Sequence, residues 1–508
     1  MRTRTMIAVI SMASYFGLCL TAGAQPAAET ETAAAETEPA QTEPAQAEPA
    51  QAEPAETEAA ETEPDEQPNF IVVVVDDLGW TDLGCYGSQY YETPTIDGLA
   101  AGGTRFTDAY AAAAICSPTR GALLTGRYPA RLGITDWLRP QHSFGEIPAD
   151  RQNPAGFEDV GELLLTPQNA LWMELEEVTL AEVLRSAGYA TAHIGKWHLG
   201  PEPWYPTQQG FDVNIGGCDY GEPPTYFSPF STRRLKAPPG LPEKAPNQYL
   251  TDREADEAVQ FIRANHDQPF FLYLAHYAVH TPIQSRQALT EKYEKKEKAG
   301  QKSAAYAAMI ESVDEALKKV LTLLDELKIA DNTVVIFTSD NGGYSEYTDN
   351  TPLRSGKGNP YEGGIRIPLI IRWPAVEEPP PTCKVPVNSV DLFPTVLQQA
   401  GAEIEDELSI DGVSIIGLLE GEQELDRDAL YWHFPHYRGS VKPYGIVRAG
   451  DFKLIRHYED GSTELYDLGQ DLSEKENLAT KLPEKTTQLD VMLSKWLIGI
   501  EARMPKPK

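Results

Sequence analysis

The sequence predicts an α/β fold: a large, mostly parallel sheet sandwiched by helices, followed by a smaller C-terminal antiparallel α+β subdomain. Three observations carry this expectation. Two runs, Phe70–Val75 and Thr333–Thr338, are almost wholly apolar or β-branched, as strands covered on both faces must be. Between them, helix-period and strand-like segments alternate, which is the pattern of a parallel sheet with helices on both faces. Past about residue 425 the chain breaks into short strand-like segments with glycine turns.

Taken from the N-terminus, residues 1–24 read as a secretory signal peptide: Arg2 and Arg4, the apolar run Met6–Leu20, then the small residues Ala22-Gly23-Ala24. The run is shorter than the roughly 20 apolar residues that span a bilayer. The mature chain is therefore expected to be exported, as a periplasmic, cell-surface or secreted protein without a transmembrane segment. Residues 25–68 read as a disordered acidic linker of Ala, Glu, Pro and Thr. Glu38, Glu43, Glu48 and Glu53 are each followed by Pro-Ala, and no Lys, Arg or aromatic residue anchors the segment. The remainder divides into an expected catalytic domain over 69–424 and a C-terminal subdomain over 425–508. With 76 acidic against 43 basic residues in 508, the net charge of −33 argues against a nucleic-acid partner, which needs a basic face.

The Phe70–Val75 strand ends in Asp76-Asp77, and the Thr333–Thr338 strand is followed by Asp340-Asn341-Gly342-Gly343. Ligands of open α/β sheets bind beyond the carboxyl ends of the strands, so these four oxygen-bearing side chains form a candidate hard-cation site of Ca²⁺ or Mg²⁺ type. Each pair taken alone is equally compatible with a turn or a helix cap. Between the two strands the periodicity gives a helix over Thr179–Ala187, a strand over Tyr189–Ile194, a helix over Asp252–Asn265 and a strand over Phe270–Ala275. A long helix follows over about Ala304–Lys328, whose stripe Tyr306, Met309, Ile310, Val313, Leu317, Val320, Leu321 and Leu324 faces the core. The C-terminal segments are Leu430–Tyr437, Tyr444–Arg448, Phe452–His457 and Thr463–Leu468, with turns at Gly450 and Gly461, before a helix over Thr486–Ile500. Beyond the signal peptide only Cys85, Cys116, Cys218 and Cys383 remain, too few for a disulfide scaffold; one bridge is compatible with them, and the sequence does not choose its partners.

The string Cys116-Ser117-Pro118-Thr119-Arg120, continuing to Arg127, and the segment Gly188–His198 complete a set of four ordered segments with the two acidic pairs. Together they resemble the type I, formylglycine-dependent (arylsulfatase-like) sulfatases, from about residue 69 to the C-terminus. The resemblance implies an alkaline-phosphatase-like fold and a sulfuric ester hydrolase. It also implies calcium held by Asp76, Asp77, Asp340 and Asn341 together with residue 116, and conversion of Cys116 to formylglycine (3-oxoalanine) by a dedicated maturase. The hydrated aldehyde offers one hydroxyl to attack sulfur and a second whose deprotonation expels sulfate, splitting one hard displacement into two easier steps. Carried over residue by residue, Arg120 holds position 116, His198 is the base, and Lys196 contacts sulfate and nucleophile. His280, in Ala278-Val279-His280-Thr281-Pro282, stands near the leaving oxygen, and Lys357 is the second sulfate-binding lysine. Lysines suit a tetrahedral anion and histidines suit proton transfer near neutral pH. Val279 and Ser355 stand where relatives often have Pro and Gly. His433 and His436 are candidate contacts for sugar hydroxyls, the alternative being that they fill a domain seam; His193, His276 and Arg366 read as structural. The expected substrate is a sulfated carbohydrate. The alternatives are a phosphonate monoester or phosphodiester hydrolase of the same fold, or a non-catalytic sulfated-glycan-binding protein with unconverted Cys116.

Overall fold

A fully buried run of apolar residues must be divided between two cores, because side chains along a strand alternate in direction. The strand Asn69–Val75 does this: Ile71, Val73 and Val75 enter one hydrophobic cluster, and Phe70, Val72 and Val74 enter another. The same division recurs in Phe270–His276, where Phe270, Leu272 and Leu274 face one cluster and Phe271, Tyr273 and Ala275 the other. The computed structural model describes residues 67–241, 246–298, 300–402 and 408–508. The expected signal peptide over 1–24 and all but the end of the expected linker over 25–68 lie outside the described residues.

These strands belong to an eight-stranded sheet ordered Thr382–Cys383, Thr104–Phe106, Leu369–Arg372, Thr333–Ser339, Asn69–Val75, Phe270–His276, Ala190–Gly195 and Val213–Ile215. Within it, only Leu369–Arg372 runs against its neighbours. On one face lie the helices Leu250–Asn265 and Ala304–Leu327, whose inward residues include Leu250, Ala258, Ile262, Tyr306, Met309, Ile310, Val313, Leu317 and Leu324. The opposite face is covered by Cys116–Thr125, Leu180–Ser186 and Leu392–Ala400. Sequence-expected elements recur within a residue or two at most ends, and local chemistry fixes several of these ends. Thr179 and Glu182 form a reciprocal capping box, and the Ser303 hydroxyl accepts the Tyr306 N–H.

Two differences have simple causes. The last helix spans Pro483–Gly499 and not Thr486–Ile500, because a proline fits the first turn, where its missing N–H has no helical partner. The Cys116–Thr125 helix was masked in the sequence by Ser, Pro, Thr and Gly, which weaken the apolar period; every one of its residues is buried. All four described cysteines are free, so the optional bridge is not formed. Among the described residues no helix is long and apolar enough to cross a membrane.

The C-terminal strands Leu430–Phe434, Tyr444–Ala449, Phe452–His457 and Thr463–Asp467 form an antiparallel sheet in that order. One face packs Val447, Leu454 and Leu465 on Leu489, Leu493 and Leu497 of the last helix. The other face packs Trp432, Phe434, Ile446 and Ile455 against Tyr110, Ala114, Ile115 and Ile365 of the larger body. A buried ionic cluster spans the same seam. Lys453 bridges Glu362 at 3.0 Å and Glu474 at 2.8 Å, all three with negligible exposure. Burial raises the Glu474 carboxyl to about 7 against the pull of Lys453, whereas Lys453, Arg366 and Arg448 overcome burial at Glu362 and hold it at about 2.

Replacing Lys453 by methionine leaves two buried carboxyl groups facing one another. The expected cost is about 3–5 kcal/mol of stability, as for breaking other buried ion pairs. Each acid whose folded pKa is raised above its unfolded value loses stability as pH climbs from the unfolded toward the folded value. The loss of Tm in Lys453→Met should therefore be larger at pH 8 than at pH 5.5; an equal loss at both would show that the carboxyls are not left uncompensated.

Candidate active site

Four parallel strands deliver the polar residues. Asp76 and Asp77 follow the central strand, Asp340 and Asn341 follow Thr333–Ser339, Lys196 and His198 follow Ala190–Gly195, and His280 follows Phe270–His276 by four residues. Cys116 enters from a different direction, as the first residue of its helix, where the helix dipole places partial positive charge. Donor atoms of Asp76, Asp77, Cys116 and His280 all lie within 4.8 Å of one another. The backbone is shaped for this convergence, since Asp77 and His198 both adopt left-handed conformations (φ 63° and 58°) that non-glycine residues seldom take. Gly342 is required where it stands: a Cβ there would meet the Gly363 carbonyl at 1.8 Å, in the short helix Glu362–Ile365 that packs against this strand end.

Each buried carboxylate has a cationic partner. Lys196 Nζ donates to Asp76 at 2.6 Å, Lys357 Nζ lies 2.6 Å from Asp77, and Arg120 Nε donates to Asp340 at 2.8 Å. Arg120 also donates to the Lys196 carbonyl at 2.8 Å, which ties the helix to the neighbouring strand end. Asn341 Nδ2 donates to Asp77 at 2.9 Å, and the Asp77 N–H donates to Asp340 at 3.2 Å. Burial raises the Asp76 carboxyl to about 8, with Asp340 and Asp77 adding to the rise and Lys196 and Arg120 opposing it. At Asp77 burial acts the same way, but Lys357 and His280 outweigh it and hold the carboxyl below the usual range.

Two oxygens, Asp76 Oδ1 and Asn341 Oδ1, are buried without a hydrogen-bond partner. Buried acceptors left unpaired are costly, and an all-oxygen cluster rich in carboxylates is the donor set of a hard cation. The residues thus fit a calcium-type ion held by Asp76, Asp77, Asp340 and Asn341, with position 116 alongside. His280 was expected beside a leaving group; the structure also puts its Nε2 3.7 Å from Asp77.

The remaining residues line a cavity of about 360 Å³ that includes Cys116, His198, His280 and Lys357. The Cys116 thiol is pushed up to about 11 by burial, so it is protonated at neutral pH, unlike an activated cysteine nucleophile. Burial, then Lys196 and Arg120, hold His198 well below its ordinary value. Its Nε2 meets the Leu138 carbonyl at 2.9 Å, which assigns the N–H to Nε2 and leaves Nδ1, buried and without a partner, as the proton acceptor. His280 is lowered to about 3, first by burial and then by Lys357.

The structure does not bring His433 and His436 to this cavity. His433 is buried beside the Tyr458 hydroxyl at 2.8 Å, and His436 Nε2 lies 2.8 Å from the Thr135 hydroxyl, so both occupy internal seams. Burial lowers their pKa values to about 4 and about 3, which keeps both neutral. The same strand-and-turn segment contributes Arg438 to the cavity instead, along with Trp137, Tyr220 and Glu222 from loops and His142 from the short helix Gln141–Phe144 of the larger body. Sequence reasoning missed all five, because none belongs to a motif or a periodic segment. His193 packs among Trp197, Phe211 and Tyr273, His276 pairs with Glu254 at 2.6 Å, and Arg366 bridges Asp108 and Glu362, all within the body of the fold.

The sequence profile of the Sulfatase family matches residues 68–402, and that of the N-sulphoglucosamine sulphohydrolase C-terminal region matches 356–502. A sulfatase of Formosa agariphila is 33% identical over 85% of this chain and 89% of its own. Human arylsulfatase A is 34% identical over 76% of this chain and 74% of its own. Among solved structures, Ps i-CgsB in complex with k-i-k-neocarrahexaose superposes with a TM-score of 0.70 at 30% identity, covering 85% of this chain and 93% of that one.

The placement of His198 can be disturbed without touching its own chemistry. A Cβ at Gly221 would lie 2.8 Å from its Cε1 and 2.9 Å from its Nε2, while the Gly221 backbone itself accommodates alanine. Gly221→Ala should lower kcat on a chromogenic sulfate ester about 10–100-fold, the scale of a sub-ångström to one-ångström misplacement, with Tm shifted by only a few degrees. Unaltered kcat would show that the His198 ring position does not matter to turnover.

Proposed function

We propose that this chain, which belongs to the sulfatase family and is a sulfuric ester hydrolase, acts after export on sulfated carbohydrates, using formylglycine at position 116 and calcium. The observation that carries this reading is the meeting of Cys116 with Asp76, Asp77 and His280 within 4.8 Å, in a pocket whose buried oxygens are not all partnered. Asp76, Asp77, Asp340 and Asn341 would hold the calcium, which supplies a hard positive centre that polarises oxygen and offsets sulfate charge. Formylglycine, as its hydrate, supplies an attacking hydroxyl and a second hydroxyl whose proton loss releases sulfate, a self-regenerating cycle that a thiol lacks.

The chain's own residues have the following parts. Arg120, fixed by Asp340 and the Lys196 carbonyl, holds the start of the helix and so the position of residue 116. Neutral His198 takes a proton at Nδ1. Lys196 and Lys357 place two positive charges beside the carboxylates, where a sulfate dianion or its developing charge is compensated. His280, at the cavity wall beside Asp77, stands near the leaving oxygen. The carbohydrate reading draws on the bound oligosaccharide of the i-CgsB structure and on a cavity in the size range of ligand sites. Export rests on the charged, apolar and small-residue order of residues 1–24.

Two outcomes test the reading. In protein co-expressed with a formylglycine-generating enzyme, the peptide carrying residue 116 should be lighter than encoded and react with aldehyde reagents. Cys116→Ala should fold yet lose turnover by several orders of magnitude, and Cys116→Ser should accept sulfate at most once. Full activity with unmodified Cys116, or multiple turnover by either variant, would overturn it; a preference for phosphonate over sulfate esters would move it to the phosphonate alternative.

The second outcome concerns the metal. A ligand that binds only the folded chain raises its Tm with concentration. Calcium should do so in the wild type and not in Asp340→Ala, with activity lost in parallel. Zinc as the resident metal of active protein would contradict the oxygen-only donor set.

A further inference from the structure

The reacting groups account for only part of the cavity lining, and the other lining residues have no role yet. One of them stands apart chemically. Arg438 has no hydrogen bond from its guanidinium among the described residues; its single ionic contact is Asp136, at 3.6 Å, and Nη1 is shielded from solvent without a partner. Five N–H donors in a planar fork are built for bidentate anion contacts, and one distant carboxylate leaves most of them unused. Arg120, Arg366 and Arg448, by contrast, are each fixed by hydrogen bonds to carboxylates or carbonyls.

Its position is defined. The backbone N–H groups of Arg438 and Val441 donate to each other's carbonyls at 3.0 and 2.9 Å, so Arg438 sits at the base of a closed turn. Its Nε lies 3.4 Å from where a Cβ of Gly358 would be, and the Gly358 N–H is itself anchored on the Ala114 carbonyl. Arg438 is thus a neighbour of Lys357 on the same wall, yet the two differ in direction. Lys357 is 8% exposed and committed to Asp77, whereas Arg438 is 36% exposed and open to the cavity. Trp137, next in sequence to Asp136, lines the same cavity with a 37% exposed side chain; its backbone is held by Asp136 and Asn169, and its ring lies 6.4 Å from that of His198. An aromatic face and a forked cation lining one cavity suit a sugar ring with an anionic substituent. Glu222 lines the same cavity and accepts from the Thr281 hydroxyl at 2.8 Å, so anions are disfavoured near it and favoured at the Arg438 end. The chain as a whole carries −33, so a polyanion needs such a local cation to overcome general repulsion.

We propose that Arg438 and Trp137 form a subsite for a saccharide that carries a second anionic group, a carboxylate or another sulfate, beside the sulfate ester that is cleaved. This rests on the sulfatase reading and narrows its substrate class to dianionic sugars.

The test compares kcat/KM of formylglycine-bearing protein on four substrates: 4-nitrophenyl sulfate, a monosulfated neutral sugar, the same sugar with a carboxylate, and the same sugar with a second sulfate. Wild type should favour one or both dianionic sugars over the neutral one by about 10–100-fold, the scale of a charge-assisted hydrogen bond pair, and mainly through KM. The third and fourth substrates distinguish the two sources of charge. In Arg438→Met that preference should fall below about threefold, and Arg438→Lys should restore part of it. No preference in the wild type overturns the proposal without any variant being needed. A loss of equal size on all four substrates also overturns it, because Arg438 then serves the cleaved sulfate. Absence of sulfate release from every substrate overturns the sulfatase reading and the subsite with it.

Discussion

Everything at the centre of this molecule answers to the burial of three carboxylates. Asp76, Asp77 and Asp340 each have 2% exposure or less, and their mutual repulsion in a low-dielectric site is tolerated only with opposite charge close by. The fold meets this by importing cations from separate segments: Arg120 from a helix, Lys196 from a strand end and Lys357 from a long loop. Three chain regions distant in sequence are thereby pinned to one point. The same arrangement leaves unpartnered oxygens of Asp76 and Asn341 behind a cavity lined by Cys116, His280 and Lys357, so charge compensation in the interior and positive charge at the cavity are supplied together.

The C-terminal sheet follows from the same need. A helix whose first residue must stand at the strand ends is weakly held by its own propensity, because Ser117, Thr119 and Gly121 are poor helix formers. It is held by packing. Leu123 and Leu124 join the core under the main sheet, and Ile115 joins the seam with Trp432, Phe434 and Ile455. Trp432 Nε1 donates to the Ala111 carbonyl at 2.7 Å, five residues before Cys116. On the far side of the loop, Arg354 stacks on Tyr361 at 3.6 Å and donates to the Tyr466 hydroxyl and the Glu474 carbonyl. Arg354 lies three residues before Lys357. The smaller sheet therefore braces both Cys116 and Lys357, and its contribution to the site is largely indirect.

How much of this was legible in the sequence depends on what kind of signal each part carries. Strands buried on both faces announce themselves, since Phe70–Val75 has no other low-energy place to go, and the stripe on Ala304–Leu327 is periodic over its whole length. The inner site was legible for a related reason: its residues follow strand ends or sit inside short motifs, so local order in the chain becomes order in space. The family resemblance assigns Arg120, Lys196 and Lys357 to residue 116 and sulfate, and in the structure each compensates a buried carboxylate. The Cys116–Thr125 helix was not legible, because full burial removes the polar face that makes a helical period visible.

His433, His436 and Arg438 show where such reasoning stops. All three lie within six residues on one strand-and-turn segment, and aromatic neighbours made the histidines look like sugar contacts. Along a strand, direction alternates with a period of two, but past Phe434 the chain leaves the sheet and that rule lapses. His433, still within the strand, is turned by that alternation away from the Trp432 and Phe434 face and toward Tyr458, whereas His436, beyond the sheet, is directed to Thr135. Arg438 lies at the turn itself, where its long side chain reaches over Gly358 into the cavity. A turn position is chosen by backbone closure, which residue identities two or three places away do not encode. Most of the polar residues gathered at the inner site follow strand ends fixed by the sheet, with Cys116 and Arg120 on a helix and Lys357 on a loop, while Arg438 stands on a turn that the sheet does not constrain. The same division makes strand-end residues readable from one sequence and leaves turn residues to be read from geometry.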